Sequence, residues 1–119
     1  MALSEFQINF NYNQAISKAQ ELETAATKLE TDAVTEMDSI LLAINRNWTG
    51  DNANAYRTKC KTEQTNIATI VESIRTVAST IRTMAENIKA AEMRALRIAQ
   101  AEEAARKAAE EAAAGRAAK

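Results

Sequence analysis

The stretch Asn-Trp-Thr-Gly-Asp-Asn at residues 47–52 decides the fold that the sequence predicts. It concentrates most of the turn-favouring residues of a chain that has two glycines and no proline in 119 residues. Gly50 can take the left-handed conformation that ends a helix, and Asp51 or Asn52 can cap the helix that follows. Because so short a connection makes its flanking helices antiparallel, we predict an all-α helix-turn-helix hairpin.

Upstream of this bend, apolar residues recur every three or four positions, which is the spacing of one face of a helix. The pattern predicts a first helix over about residues 11–46, capped by Asn11 or Asn13, and a bend at 47–51. Trp48 is expected to cover the end of the core. The large apolar residues expected to form the core on this helix are Leu22, Leu29, Met37, Ile40 and Ile44.

The residues before this helix show a different spacing. Phe6, Ile8, Phe10 and Tyr12 alternate with polar residues, which is typical of an extended segment with one apolar face. An extended arm lying on a neighbouring surface and an early helical turn are both compatible with this segment.

The second helix, predicted from about residue 52, carries a seven-residue repeat. Such a repeat indicates coiled-coil-like packing, and the width of the apolar face favours a four-helix bundle over a two-stranded seam. A lone hairpin would leave this stripe in water, so we expect the hairpin to dimerise. At the start of the repeat, Glu63 is expected to pair with a basic residue of a partner. The predicted core positions on this helix are Ile67, Ile70, Ile74, Val77, Ile81, Met84 and Ile88.

Beyond Ile98 the composition changes to alanine, glutamate, arginine and lysine without large apolar side chains. Helix propensity is high in this segment, and acidic and basic residues three to four positions apart can form surface ion pairs. We therefore predict two regions: a hairpin over residues 1–98 and a long C-terminal helical extension over residues 99–119, weakly held because it has no stripe to bury.

Composition argues against catalysis and nucleic-acid binding. The chain has no histidine and a single cysteine, Cys60, and its 15 basic and 16 acidic residues nearly balance. Its carboxylates fall on outer helix faces, away from any cleft that could shift a pKa. We expect no enzymatic activity, no cofactor, no metal site and no nucleic-acid partner. No general secretory signal peptide and no membrane-spanning stretch are recognisable.

The motif Trp48-Thr49-Gly50, placed in the bend of a hairpin of about 100 residues without proline, resembles the WXG100 (ESAT-6-like) family of type VII secretion systems. The resemblance covers about residues 10–98. It implies a small helical protein secreted by a signal-peptide-independent route from the cytoplasm of a Gram-positive-type bacterium. It also implies a homodimer, or a heterodimer with another family member or an effector hairpin, and recognition of Trp48 by the secretion machinery.

One feature of that family is missing from this chain. The family's export signal is a Tyr followed four residues later by Asp or Glu after the second helix, whereas Tyr56 is followed at that spacing by Cys60. The chain is then a secreted substrate whose partner carries the signal, a substrate with a different signal, or a helical chaperone. The alternatives outside the family are a membrane-active amphipathic protein and a cytoplasmic coiled-coil adaptor.

Overall fold

The computed structural model describes residues 2–117 and contains two long helices, α1 (Glu5–Asn47) and α2 (Asp51–Ala117). No strand occurs among these described residues. The chain divides into two compact units. The bend unit is Ser17–Arg82, and the terminal unit combines residues 2–16 with residues 83–117. The last two residues of the predicted C-terminal extension lie outside the described residues.

Helix α1 begins at Glu5, so the predicted start near residue 11, the caps at Asn11 or Asn13 and the extended arm are wrong. The reason is a capping box that the sequence analysis missed. The Ser4 backbone N–H donates to Gln7 Oε1 at 3.0 Å, and the Gln7 N–H donates to Ser4 Oγ at 3.2 Å. Two otherwise unsatisfied donors are thereby paired, which fixes the first helical turn ahead of the aromatic residues.

At the bend, Gly50 has a φ of +101°, as the sequence analysis predicted from its position. Its carbonyl accepts a hydrogen bond from the Asn54 N–H at 3.0 Å, which is the first bond of α2. Gly50 therefore occupies the N-cap position that we had expected for Asp51 or Asn52. Asp51 is the first residue of the helix, where its negative charge faces the positive end of the helix dipole.

Within the bend unit the two helices pack side by side in a hairpin, and small residues dominate their seam. Four of its buried positions are alanines with no exposed surface, and Val71 is 1% exposed. Alanine lets two backbones approach closely, while larger side chains fill the space near the bend, where Met37, Ile40 and Leu41 pack on Ile44. The buried residues of this unit are Ala19, Ala26, Ile44, Ala53, Cys60, Val71 and Ala78.

In the terminal unit, the first turns of α1 contribute Ile8, which is 1% exposed, and α2 contributes the buried Ala85. From residue 100 onward every described residue of α2 is exposed. Arg106 pairs there with Glu103 and Glu110, three and four positions away. The predicted helical extension is present as far as Ala117, and local ion pairs and alanine propensity are its visible supports.

Candidate protein-binding site

The bend exposes an aromatic pair. The Trp48 and Tyr56 ring centroids lie 5.8 Å apart with their planes tilted by 49°. The two residues are 41% and 47% exposed, so Trp48 leans on Tyr56 and keeps much of its surface in solvent. Thr49 and Gly50 are exposed beside them. An exposed aromatic pair held in one geometry is suited to binding a partner, because little side-chain entropy remains to be lost.

Arg57 fixes the backbone beneath this pair. Its guanidinium donates to Asn45 Oδ1 at 2.7 Å, to the Trp48 carbonyl at 3.1 Å, and to Asn54 Oδ1. These three acceptors come from the end of α1, the bend and the start of α2. The sequence analysis did not identify Arg57, since nothing in its spacing distinguishes it from other surface arginines.

The twelve predicted core positions fall into three classes of burial. Ile44 alone among them is buried in the described structure. The half-buried ones are Leu22, Leu29, Met37, Ile40, Ile67, Ile74 and Ile81. The exposed ones are Ile70, Val77, Met84 and Ile88. The predicted partner of Glu63 stays a prediction, and Glu63 itself is exposed.

The seam of the bend unit has one edge closed by polar contacts, which we call the ion-paired edge. Arg82 contacts both carboxylate oxygens of Glu23, with NH2–Oε1 at 2.6 Å and Nε–Oε2 at 3.1 Å. One heptad closer to the bend, Arg75 contacts both oxygens of Glu30 at 3.1 and 3.3 Å. The seven-residue spacing within each like-charged pair is a sequence signal that could have revealed this edge. Bidentate pairing of this kind fixes the register of the two helices.

Both glutamates titrate differently because of these contacts. The pKa of Glu23 lies below its ordinary value of 4.5, chiefly through the hydrogen bond from Arg82, with partial burial acting in the opposite direction. The pKa of Glu30 is lowered by the hydrogen bond from Arg75 and by that residue's positive charge. The carboxylates on this edge are therefore held ionised to lower pH than free glutamates.

The other edge of the same seam, the open edge, has apolar residues in solvent. Ile70 is 51% exposed and Val77 is 52% exposed. Buried Val71 and Ala78 lie about 40–60° round α2 from Arg75, and Ile70 and Val77 lie about 140–160° from it. On α1, half-buried Leu22 and Leu29 each lie about 100° from the ion-paired glutamate that follows them. The open edge therefore lies across the seam from the ion pairs.

The terminal unit has its own exposed apolar residues. Ile8 is buried, while Phe6 and Phe10 stack at 6.2 Å between centroids on the outer side of α1. The four aromatic and aliphatic residues that alternate in sequence are thus divided between two helix faces. Tyr12 lies under the Lys89 ammonium, whose nitrogen is 4.5 Å from the ring centroid. A cleft of about 140 Å³ beside Tyr12 is lined by Glu92, one of whose carboxylate oxygens has no hydrogen-bond partner.

Two searches of residues 2–117 bear on other kinds of site. No group of three or more potential metal-binding side chains comes together in that part of the chain. None of the helices described there combines the length and hydropathy needed to cross a membrane.

Comparisons with known proteins leave the residues of this chain as the basis for its function. No family model, curated protein or solved structure matches the chain.

Proposed function

We propose that the chain is a WXG100-like helical binding protein of a type VII secretion system, a secreted substrate or a helical chaperone-partner, that acts by protein–protein binding. The observation that carries the proposal is Trp48-Thr49-Gly50 at the bend of a two-helix hairpin, with Gly50 at φ +101° and Trp48 partly exposed. The exposed pair of Trp48 and Tyr56 offers a surface that an export component can bind.

The binding function includes pairing with a second helical hairpin in a four-helix bundle. Support comes from the open edge, where Ile70 and Val77 are about half exposed on a helix that carries a heptad repeat. An apolar ridge of this kind is costly to leave in water, and a second hairpin covers it with the same type of surface. The second hairpin is another copy, a family member or an effector.

The chain has no Tyr-x-x-x-Asp/Glu sequence after Tyr56, so an export signal of that type has to come from the partner or be replaced by another feature. This makes the chaperone-partner role as consistent with the sequence as the substrate role. In either role the chain travels with, or waits for, a second helical chain.

Export from the native host tests the proposal. We expect the chain in the culture supernatant of the wild-type strain and its loss from the supernatant when the secretion ATPase is deleted. The Trp48→Ala variant should remain folded, since Trp48 is outside the helices, and should be lost from the supernatant. Lys59→Ala, at an exposed position on α2, is the matched control and should be exported.

The substrate role is overturned if the chain reaches the supernatant equally with and without the ATPase. The chaperone role predicts a type VII component or substrate co-purifying with the tagged chain from cell extract, and loss of that component with Trp48→Ala. If the chain is neither exported nor associated with such a component, or if it floats with liposomes at neutral pH, the proposed function is wrong.

A further inference from the structure

We propose that a second copy of this chain docks on one face of α2 in the bend unit. We call it the uncharged face, and it consists of Thr69, Ile70, Ser73, Thr76, Val77 and Thr80. The inference rests on the proposed binding function and specifies its partner and its surface.

The first argument is exposure. Ile70 and Val77 are 51% and 52% exposed, although they follow the same heptad as the helix core. The intramolecular seam instead uses Val71 and Ala78, one residue further along, which are 1% and 0% exposed. The hairpin therefore satisfies its own packing without Ile70 and Val77, and these two residues are available to another chain.

The second argument is the absence of charge. Residues 64–81 contain two charged side chains, Glu72 and Arg75. Both lie about 140–160° round α2 from Ile70 and Val77. By contrast, residues 102–116 of the same helix contain seven charged side chains. A surface exposed only to water normally carries charges, so the uncharged stretch indicates a face that is covered.

The third argument concerns the hydroxyl groups on this face. Thr69 donates to the Thr65 carbonyl at 3.1 Å, and Ser73 donates to the Thr69 carbonyl at 3.0 Å. Thr76 and Thr80 donate to the carbonyls four residues before them, each at 3.0 Å. Because these donors are already paired within α2, burial against another chain leaves no hydroxyl proton unsatisfied. The face is polar in composition but inexpensive to dehydrate.

These properties favour a second copy as the occupant. A two-fold axis brings identical surfaces together, and a face without charge meets itself without like-charge repulsion. An axis passing between residues 73 and 74 of antiparallel α2 helices sets Ile70 of one copy against Val77 of the other. Ser73 of the two copies then lie next to each other at the axis.

The available area is sufficient for a dimer. Residues 65–81 span about 25 Å of helix, and two helices side by side are about 20 Å wide, so each copy offers about 500 Å² in this unit. The total of about 1,000 Å² reaches the lower limit for a specific interface. Half-buried Leu22 and Leu29 on α1 border the same open edge and extend its apolar surface.

Charge inserted on the face tests the proposal in the full chain. Size-exclusion chromatography with light scattering at micromolar concentration should show a dimer for the wild type. The double variant Ile70→Lys/Val77→Lys should be monomeric, with a dissociation constant at least about 100-fold higher, and should retain its far-ultraviolet helical signal. Ser79→Lys, exposed on the other side of α2, is the matched control and should remain dimeric.

A cross-link keeps the test decisive if the lysine variants fail to fold. With the native thiol removed by Cys60→Ala, Ser73→Cys should form a disulfide-linked dimer under mild oxidation, and Ser79→Cys should not. A wild-type monomer at 100 µM, an unchanged dimer in the double variant, or equal cross-linking at the two positions overturns the proposal. A wild-type monomer that binds a different hairpin and is exported would overturn the second copy and leave the proposed function intact. A dimer that is neither exported nor associated with the secretion system would do the reverse.

Discussion

The two edges of the bend-unit seam solve opposite problems with the same pair of helices. On the ion-paired edge, bidentate contacts from Arg75 and Arg82 to Glu30 and Glu23 set the register of the hairpin. On the open edge, Ile70 and Val77 are about half exposed and no charged side chain lies near them on α2. One edge therefore completes the hairpin, and the other is left for intermolecular contact.

The largest effect is expected where the seam separates the two edges. Ala78 has no exposed surface, so Ala78→Leu forces the helices apart and should lower the free energy of unfolding by about 1–3 kcal/mol. Urea unfolding followed by circular dichroism at one fixed protein concentration measures this change. Ala68→Leu adds the same volume at an exposed position and should stay within about 0.5 kcal/mol of the wild type. Equal effects of the two variants would show that the seam is not tightly packed.

A smaller loss is expected at the bend, which aligns both edges. Gly50 has a φ of +101° and no atom within 4 Å of the place where a Cβ would lie. The cost of Gly50→Ala is therefore backbone strain without a steric clash, about 1–2 kcal/mol in thermal or urea unfolding. Gly115→Ala lies within helix α2 and should increase helicity instead. Destabilisation by both variants would contradict the strain explanation.

Acid should weaken the ion-paired edge and leave the open edge unaffected. The pKa values of Glu23 and Glu30 are lower in the folded chain than the ordinary value of 4.5, so their stabilising contribution is complete above that pH. It is lost as the pH falls below 4.5 through the folded-state values. Thermal unfolding between pH 6 and pH 3 should show a steeper loss for the wild type than for Glu23→Gln/Glu30→Gln. Parallel curves would mean that the two pairs contribute nothing to folding.

The smallest effect is expected from the contacts that fix the bend. Arg57→Gln removes the donors to Asn45, Asn54 and the Trp48 carbonyl, and should change the fluorescence emission of Trp48 with little effect on unfolding. Trp48 is the single tryptophan of the chain, so the signal is unambiguous. Lys59→Gln removes a positive charge two residues away and should leave the emission unchanged. An identical spectrum for Arg57→Gln would show that Arg57 does not position Trp48.

Much of the fold was predictable because short-range signals determine it. The lack of proline and the seven-residue repeat predict two helices, and Gly50 predicts the bend between them. The start of α1 was mispredicted because alternation from Phe6 to Tyr12 suggested an extended segment. The local capping box of Ser4 and Gln7 outweighs that alternation, since it pairs two backbone donors and starts the helix earlier.

The candidate site was predictable only in part. Trp48, Thr49 and Gly50 follow directly from a motif, but the partners Tyr56 and Arg57 do not, because contacts across a bend depend on how the two helix ends meet. The same limit applies to Glu23 and Arg82, which are 59 positions apart in sequence and 2.6 Å apart in the structure.

The sequence by itself determined the helices, the bend and the existence of a wide apolar stripe on α2, because these depend on residue spacing within one element. Only the tertiary structure decided which half of that stripe the hairpin uses. Neighbouring heptad positions such as Ile70 and Val71 are equally apolar, and the rotation of α2 against α1 buries Val71 and leaves Ile70 in solvent. That rotation follows from alanine packing and arginine–glutamate pairing between distant residues, which no local pattern specifies.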